Sequence, residues 1–194
     1  MAGRLIPTPS QTVGPFFHLG LDRPEWSDLT RGNPKGERIV VAGRVLDGDR
    51  APVPDALIEL WQANAAGRYN HPDDPQTDKP LDPGFRGYGR SATDADGNFR
   101  FVTIRPGPVP GRGNTLQAPH LNLAIFGRGL LKQLFTRVYF ADAAENAADP
   151  LLLAIDDPAQ RRTLLATRQD DGPPPTYRFD IVLQGAGETV FLDL

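Results

Sequence analysis

The sequence contains no cysteine, and this absence removes several kinds of chemistry at once. Among its 194 residues there are also only one methionine, two tryptophans and three histidines. Without cysteine the chain has no disulfide framework, no thiolate metal site and no cysteine nucleophile. Any metal centre would therefore depend on His, Tyr, Asp or Glu side chains.

Strong net charge and long apolar runs are absent as well. The formal net charge is -3 and the isoelectric point of the sequence is about 5.6, which gives no broad attraction to nucleic acid or acidic membranes. No stretch approaches the roughly 20 apolar residues of a membrane helix, and the first residues lack the apolar region of a secretory signal. The expectation is a cytoplasmic protein that binds neither nucleic acid nor membrane.

Glycine and proline are abundant, with twenty of each, and together they break up long helices. Apolar side chains alternate with period two in most of the remaining segments, which is typical of strands. Strands are predicted at 38–46, 56–63, 98–104, 120–126, 134–140, 177–184 and 188–194. The pattern predicts a single all-β domain over residues 1–194, a β-sandwich of mainly antiparallel strands with long loops.

Three further segments interrupt the strand pattern. Residues 22–31 favour a short helix, and residues 156–168 have an Asp near the N-cap, an early Pro and later basic residues, which favours a second one. The loop 64–90 is too long for a hairpin turn, and loops of this length are often functional. Trp61, just before that loop, is predicted to pack in the core.

The segment APHLNLAIFGRG, residues 118–129, resembles half of a metal site. Side chains two apart on a strand point to the same face, so His120 and Asn122 share one side of the predicted strand. A second histidine at position 122 would complete a pair of imidazole ligands, whereas asparagine supplies only a neutral amide. A hydrogen-bonded interior histidine is therefore the favoured interpretation of His120.

Four separated motifs, in this order, resemble the intradiol ring-cleaving dioxygenases. They are LIELWQANAAGRYNH, PLDPGFRGYGRSATDADGNFRFVTIRPGPVP, APHLNLAIFGRG and YRFDIVLQG, and the resemblance runs from about Thr8 to the C-terminus. It implies a β-sandwich core and a non-haem Fe(III) site held by two tyrosines and two histidines. It also implies insertion of oxygen between the two hydroxylated carbons of a catechol.

Carried over residue by residue, the four ligand positions of the family fall on Tyr69, Val109, His120 and Asn122. Val109 has no lone pair to donate, and Asn122 offers a neutral amide oxygen in place of an imidazole. The resemblance therefore implies vestigial metal-site positions, with no metal and no catalytic residue in this chain. Asn122 is expected to form hydrogen bonds inside the former site, because a buried amide needs partners.

Within the family, the chain resembles a non-metallated alpha subunit. The resemblance implies a homologous beta chain that binds the Fe(III), protocatechuate and O2 as substrates, and further assembly of alpha-beta units. It also implies that the N-terminal segment 1–36 docks on that beta chain. In this arrangement Thr12, Gly14 and Pro15 line the substrate pocket of the partner.

Arginine 128 lies between two glycines just after the predicted strand, which suggests a tight turn that presents its side chain. A guanidinium is the natural bidentate partner of a carboxylate. The resemblance to an alpha subunit implies that Arg128 reaches the pocket of the partner and helps to recognise the carboxylate of protocatechuate. Arg137 and Arg178 lie within strand patterns and are interpreted as structural.

The sequence is also compatible with two alternatives. The first is a self-sufficient intradiol dioxygenase with altered ligands, which the iron content of the chain expressed alone would reveal. The second is a transthyretin-like β-sandwich that acts as a non-catalytic binding module. Co-expression with an iron-binding beta chain separates this second alternative from the subunit interpretation.

Overall fold

A computed structural model describes residues 6–169 and 171–193, apart from the side chain of His18. The predicted domain 1–194 and the predicted docking segment 1–36 therefore extend in part beyond the described residues. Of the helices within these ranges, none has the length and apolar content needed to cross a bilayer. Strands make up most of the regular structure, which confirms the predicted all-β class.

The elements follow the chain in this order. The strands are β1 (Arg38–Leu46), β2 (Leu57–Trp61), β3 (Tyr88–Ala92), β4 (Asn98–Ile104), β5 (Val109–Pro110), β6 (Leu116–Gln117), β7 (His120–Phe126), β8 (Leu134–Phe140), β9 (Leu165–Gln169), β10 (Thr176–Arg178) and β11 (Ile181–Val182). The α-helices are α1 (Phe17–Leu21), α2 (Pro150–Leu153) and α3 (Pro158–Arg162), and 3₁₀ helices occur at Pro24–Ser27 and Ala144–Ala148.

The strands form one mixed sheet that nearly closes on itself. Its order is β11-β1-β10-β9-β8-β7-β2-β3, with β4 added to β1, and β3 and β4 contact each other across the opening. Among the described strand pairs, β1–β10, β1–β11 and β8–β9 are parallel and the others are antiparallel. Strands β5 and β6 form a separate ribbon beside the main sheet.

Strand β7 shows how the sequence pattern places the core. Leu121, Leu123 and Ile125 are almost completely buried in the main apolar cluster, as their period-two spacing predicts. Burial of each such side chain contributes about 1.5–3 kcal/mol of stability. His120 and Asn122 therefore point to the opposite face of the sheet, away from this core.

The C-terminal third departs from the predicted pattern. The predicted helix 156–168 is reduced to α3, because Leu165 begins β9, whose backbone pairs with β8 and β10. The predicted strand 177–184 divides into β10 and β11 at Asp180, whose carboxylate accepts the Arg44 N–H at 2.9 Å in place of a backbone carbonyl. The predicted strand 188–194 contributes an isolated bridge between Leu192 and Phe135, and Leu194 lies outside the described residues.

Two differences concern the N-terminal half. The predicted helix 22–31 is a 3₁₀ turn of four residues, Pro24–Ser27, preceded by the unpredicted helix α1. Strand β3 ends the long loop earlier than predicted, at Tyr88. Its sequence, YGRSA, lacks an alternation of large apolar side chains, so only its pairing with β2 defines it as a strand.

Candidate functional site

The face of strands β2, β7 and β8 that points away from the core forms the floor of a cavity, called here the β7 pocket. Cross-strand register aligns Trp61, Asn122 and Arg137 in one row, and His120 and Tyr139 in the next. The loop between β2 and β3 and the β5–β6 ribbon form its walls. The β7 pocket has a volume of about 810 Å³.

All four vestigial positions meet at this pocket. Tyr69, Val109 and His120 line it, and the Asn122 side chain lies in its floor, with Nδ2 donating to the Tyr69 hydroxyl at 3.2 Å. They come from the long loop, the ribbon and β7, so their proximity depends on tertiary packing. The structure thus brings the four residues together at one pocket, and their interpretation as a former metal site stays a prediction.

Tyr69 is held against the wall of the pocket as a neutral phenol. Its ring stacks on Trp61, with ring centroids 5.6 Å apart and planes inclined by 18°. Its backbone N–H donates to Asp74 at 2.7 Å, which fixes the loop. Burial raises the pKa of the Tyr69 hydroxyl above its usual value. Trp61 was predicted to lie in the core; instead it is half-buried and forms the pocket wall.

His120 is buried, with 3% of its surface exposed, and it has one unused nitrogen. Its Nδ1 lies 2.8 Å from the carbonyl oxygen of Ala118. Because a carbonyl can only accept, Nδ1 carries the proton and Nε2 carries the lone pair. Burial and the nearby charge of Arg137 lower the pKa of His120 to about 4. Nε2 has no hydrogen-bond partner within the described ranges.

Arg137 introduces a positive charge among the vestigial positions. Its Nε donates to the Asn122 side-chain oxygen at 3.2 Å, and its Nη1 donates to Gln117 at 2.5 Å and to the Tyr139 hydroxyl at 3.2 Å. The Asn122 amide also donates to the Trp61 carbonyl at 3.2 Å, so both ends of this amide are used.

The sequence interpretation of Arg137 as a merely structural residue missed this position. A signal was present in the segment LFTRVYF, where Thr136, Val138 and Phe140 alternate with Arg137 and Tyr139. The first set is buried toward the core, so the second set must face the other side, together with His120 and Asn122. Only the pairing of β7 with β8 shows that Arg137 stands opposite Asn122.

A buried carboxylate anchors the floor of the β7 pocket from below. Asp149 is fully buried and caps α2 by accepting from the N–H groups of Leu151 and Leu152. It also accepts from the Ala118 N–H at 2.8 Å and from the Tyr139 hydroxyl at 3.1 Å. Burial raises the pKa of the Tyr139 hydroxyl, which therefore remains a donor to Asp149. The Tyr139 hydroxyl thus bridges the guanidinium of Arg137 and the carboxylate of Asp149.

The ferric iron that the family resemblance implies does not fit the residues of this pocket. Tyr69 and the lone pair of His120 could each donate to a cation, but Val109 offers no donor atom. The amide of Asn122 is engaged at both ends, and the guanidinium of Arg137 places a positive charge where another cation would have to bind. The arrangement is suited to an anion or a polar neutral molecule.

Two of the predicted substrate-binding residues, Thr12 and Arg128, lie near the other end of β7. Gly129 donates its N–H to the Thr12 hydroxyl at 2.8 Å, so the N-terminal segment contacts the turn that carries Arg128. The Arg128 Nε lies 2.7 Å from Asp55, and 56% of the Arg128 side chain is exposed. Strand β7 alone separates His120 from Phe126 by about 20 Å at the rise of a strand, and Arg128, beyond Phe126, does not line the β7 pocket.

Gly14 and Pro15 are both exposed, just before α1. A Cβ added at Gly14 would meet no atom within 4 Å in the described chain, so its own fold does not require glycine there. Any need for close backbone approach at position 14 would have to come from a molecule outside this chain.

Comparisons with known proteins agree with this architecture. A family model described as Dioxygenase matches residues 14–185. The chain is 41% identical to the protocatechuate 3,4-dioxygenase alpha chain of Pseudomonas putida, covering 97% of this chain and 98% of that relative. It is also 41% identical to the protocatechuate 3,4-dioxygenase beta chain of Burkholderia cepacia, covering 93% and 77%.

A solved structure supports the fold at lower identity. The dioxygenase domain of a dioxygenase carbohydrate-binding protein fusion from Streptomyces sp. SirexAA-E is 30% identical, with a TM-score of 0.62. The match covers 93% of this chain and 100% of that one. The nearly closed mixed sheet is therefore the fold of a dioxygenase domain.

Proposed function

The chain belongs to the intradiol dioxygenase family, and from this premise we propose that it is a non-metallated alpha-type subunit of a protocatechuate 3,4-dioxygenase. In the proposed cytoplasmic assembly, a homologous beta chain holds the catalytic Fe(III). The assembled enzyme cleaves protocatechuate with O2 between its hydroxylated carbons to give 3-carboxy-cis,cis-muconate. The chain itself contributes fold, interface and part of the substrate pocket.

One observation carries the choice of the alpha role. Identity does not distinguish the roles, because the alpha chain of one relative and the beta chain of another are both 41% identical to this chain. The chemistry of the β7 pocket does favour one of them: two of four donor positions are lost, at Val109 and Asn122. Arg137 adds a cation at the same place. An enzyme built on this chain would need its iron elsewhere.

Exposed apolar side chains support docking of the N-terminal segment on the beta chain. Ile6 is 89% exposed, Phe16 is 75% exposed and Leu19 is 70% exposed. Large apolar side chains gathered in one short segment are unfavourable in water and typical of an interface. The contact between Thr12 and Gly129 holds part of this segment on the surface of the chain before it meets a partner.

The turn at Arg128 is the proposed contribution to substrate binding. Asp55 holds Nε of the guanidinium, which leaves more than half of the side chain exposed to a neighbouring chain. A carboxylate on protocatechuate would bind the remaining donors as a charge-assisted pair. Thr12, Gly14 and Pro15 would line the same pocket from the adjacent N-terminal segment.

Co-expression with a homologous beta chain that carries both tyrosines and both histidines tests the proposal. We expect a stable complex with one iron per alpha-beta pair and no stoichiometric iron in this chain alone. Stoichiometric ferric iron with a tyrosinate-to-iron absorption band in the chain alone would establish a self-sufficient dioxygenase. Absence of a complex, or full activity of the beta chain alone, would favour a transthyretin-like binding module.

A matched pair of variants tests the docking segment. Phe16→Ser should weaken the complex while each chain remains folded, because Phe16 has little contact with its own chain. Leu153→Ser is the control, since Leu153 is also exposed, at 58%, but lies on α2. Equal effects of the two substitutions on complex formation would argue against docking through the N-terminal segment.

A further inference from the structure

We propose that the β7 pocket is a binding site for a small aromatic carboxylate that also carries a hydroxyl group, a hydroxybenzoate. The carboxylate binds Arg137, the hydroxyl donates to Nε2 of His120, and the ring packs beside the Trp61–Tyr69 stack. The inference rests on the side chains of this pocket, and it holds whether or not the chain pairs with a beta chain.

Within the described residues, no carboxylate faces the guanidinium of Arg137. Nε and Nη1 of Arg137 are engaged by Asn122, Gln117 and Tyr139, but Nη2 has no hydrogen bond to any residue in 6–169 or 171–193. Within the same ranges no Asp or Glu oxygen lies within 4.0 Å of this guanidinium. A half-buried guanidinium in this state favours an anion, and its planar form suits a carboxylate.

The second observation is independent of the charge. Nε2 of His120 is a buried acceptor that has no partner within the described ranges, and His120 lines the same cavity as Arg137. A buried polar atom without a hydrogen bond is unfavourable, so the site favours a donor at this position. A hydroxyl on the same ligand supplies one, whereas an inorganic anion such as chloride does not.

Aromatic and apolar side chains line the walls of the β7 pocket. Trp61 and Tyr69 present stacked rings, His71 meets Trp61 edge-on at 6.4 Å, and Val109 adds an apolar surface. A volume of about 810 Å³ lies within the usual range for small-molecule sites, which are mostly apolar with a few polar groups that orient the ligand. A flat aromatic ring with two polar ends matches this distribution.

The two carboxylates at the pocket wall, those of Asp73 and Asp74, do not prevent an anion from binding at Arg137. Asp74 already accepts from the backbone N–H groups of Tyr69 at 2.7 Å and Gln76 at 2.8 Å, so its charge is partly neutralised. Asp73 is 91% exposed and lies 3.7 Å from His71, where solvent screens its charge. The anionic end of a ligand is therefore directed to Arg137.

Isothermal titration calorimetry of the full chain with 4-hydroxybenzoate tests the inference. We expect one site per chain. Benzoate, which lacks the hydroxyl, and 4-hydroxybenzamide, which lacks the charge, should each bind at least tenfold more weakly. These three titrations use the unaltered chain, so they do not depend on whether a variant folds.

Variants then assign the two ends of the ligand. Arg137→Met should weaken 4-hydroxybenzoate at least tenfold, and Arg137→Lys should restore part of the loss. Arg162→Met is the matched control, because Arg162 is an exposed arginine on α3 that does not line the β7 pocket, and binding should not change. His120→Phe should reduce 4-hydroxybenzoate to the affinity of benzoate.

Several outcomes would overturn the inference: no saturable heat at millimolar 4-hydroxybenzoate, equal affinity of the parent and Arg137→Met chains, or equal affinity for 4-hydroxybenzoate and benzoate. The last result would mean that water satisfies His120 and that the hydroxyl is not recognised. Iron content and complex formation with a beta chain are measured separately, so the proposed subunit role can fail while this site survives, and the reverse.

Discussion

The side chains at the two ends of strand β7 have different surroundings, and no pattern within the sequence of the strand indicates this difference. At one end, His120 and Asn122 belong to a network in which the side chains of Arg137, Tyr139 and Asp149 connect the pocket floor to a helix cap. Just beyond the other end, Arg128 is more than half exposed and forms an ion pair with Asp55.

This comparison separates two ways in which a family fold can be used. The pocket end holds a hydrogen-bonded network, and its residues are fixed by neighbours within the chain. At the Arg128 end, more than half of the arginine side chain lies in water, so its exposure costs little stability. Substitutions should therefore act on folding at the first end and on activity at the second.

The largest effect on stability is expected from Asp149→Ala. Removal of this buried carboxylate leaves the N–H groups of Ala118, Leu151 and Leu152 without an acceptor, and it should lower the free energy of unfolding by about 3 kcal/mol or more. Urea unfolding at pH 7 measures this loss. Asp157→Ala is the control: Asp157 caps α3 at the surface, and about 1 kcal/mol is expected. Equal losses would contradict a special role for the pocket floor.

The next effect is a dependence of stability on pH at the pocket end. The pKa of His120 is about 4 when folded and near 6.5 when unfolded, so between these values the unfolded state binds more protons. The contribution of His120 to the free energy of unfolding is therefore fully present above about pH 6.5. It decreases by a total of about 3 kcal/mol as the pH falls toward 4, because the unfolded chain then binds a proton that the folded chain does not.

Unfolding free energies of the parent and His120→Phe chains measure this contribution. The difference between the two chains should change across the window from pH 6.5 to 4 and stay constant between pH 7 and 8. A difference that is constant over the whole range would show that His120 accepts a proton without cost in the folded chain.

The largest effect at the other end is expected on activity. In the assembled enzyme, Arg128→Ala should raise KM for protocatechuate at least about tenfold, because a charge-assisted pair contributes about 1.5–3 kcal/mol. Iron content should not change. Arg178→Ala serves as the control, since Arg178 pairs with Asp180 at 2.7 Å in another part of the surface. Unaltered kinetics in Arg128→Ala would remove this residue from the substrate pocket.

The smallest effect is expected from Thr12→Val, which removes the acceptor of the Gly129 N–H. The bond is exposed, so the free energy of unfolding should change by less than about 1 kcal/mol. Amide hydrogen exchange is the sensitive measurement, because the Gly129 N–H should exchange faster in the variant. Unchanged exchange at Gly129 would mean that the N-terminal segment is not held on this turn.

The strands with clear alternation were predictable because every second side chain is apolar and the face that carries these side chains packs in the core. β1, β4, β7 and β8 were predicted with the bounds that the structure has. Strand β9 was predicted as helix, since the caps and charges of 156–168 are local signals. Its pairing with β8 and β10 is a long-range contact that such signals do not contain.

The sequence by itself determined which side-chain donors the β7 pocket can offer: the side chain of Val109 has no lone pair and Asn122 has no imidazole in any fold. It also determined which face of β7 enters the core. Only the tertiary structure decided that Arg137 meets Asn122, that Nε2 of His120 is left without a partner, and that Thr12 reaches Gly129. These contacts depend on strand register and loop packing between distant segments, and no local pattern of side chains specifies either.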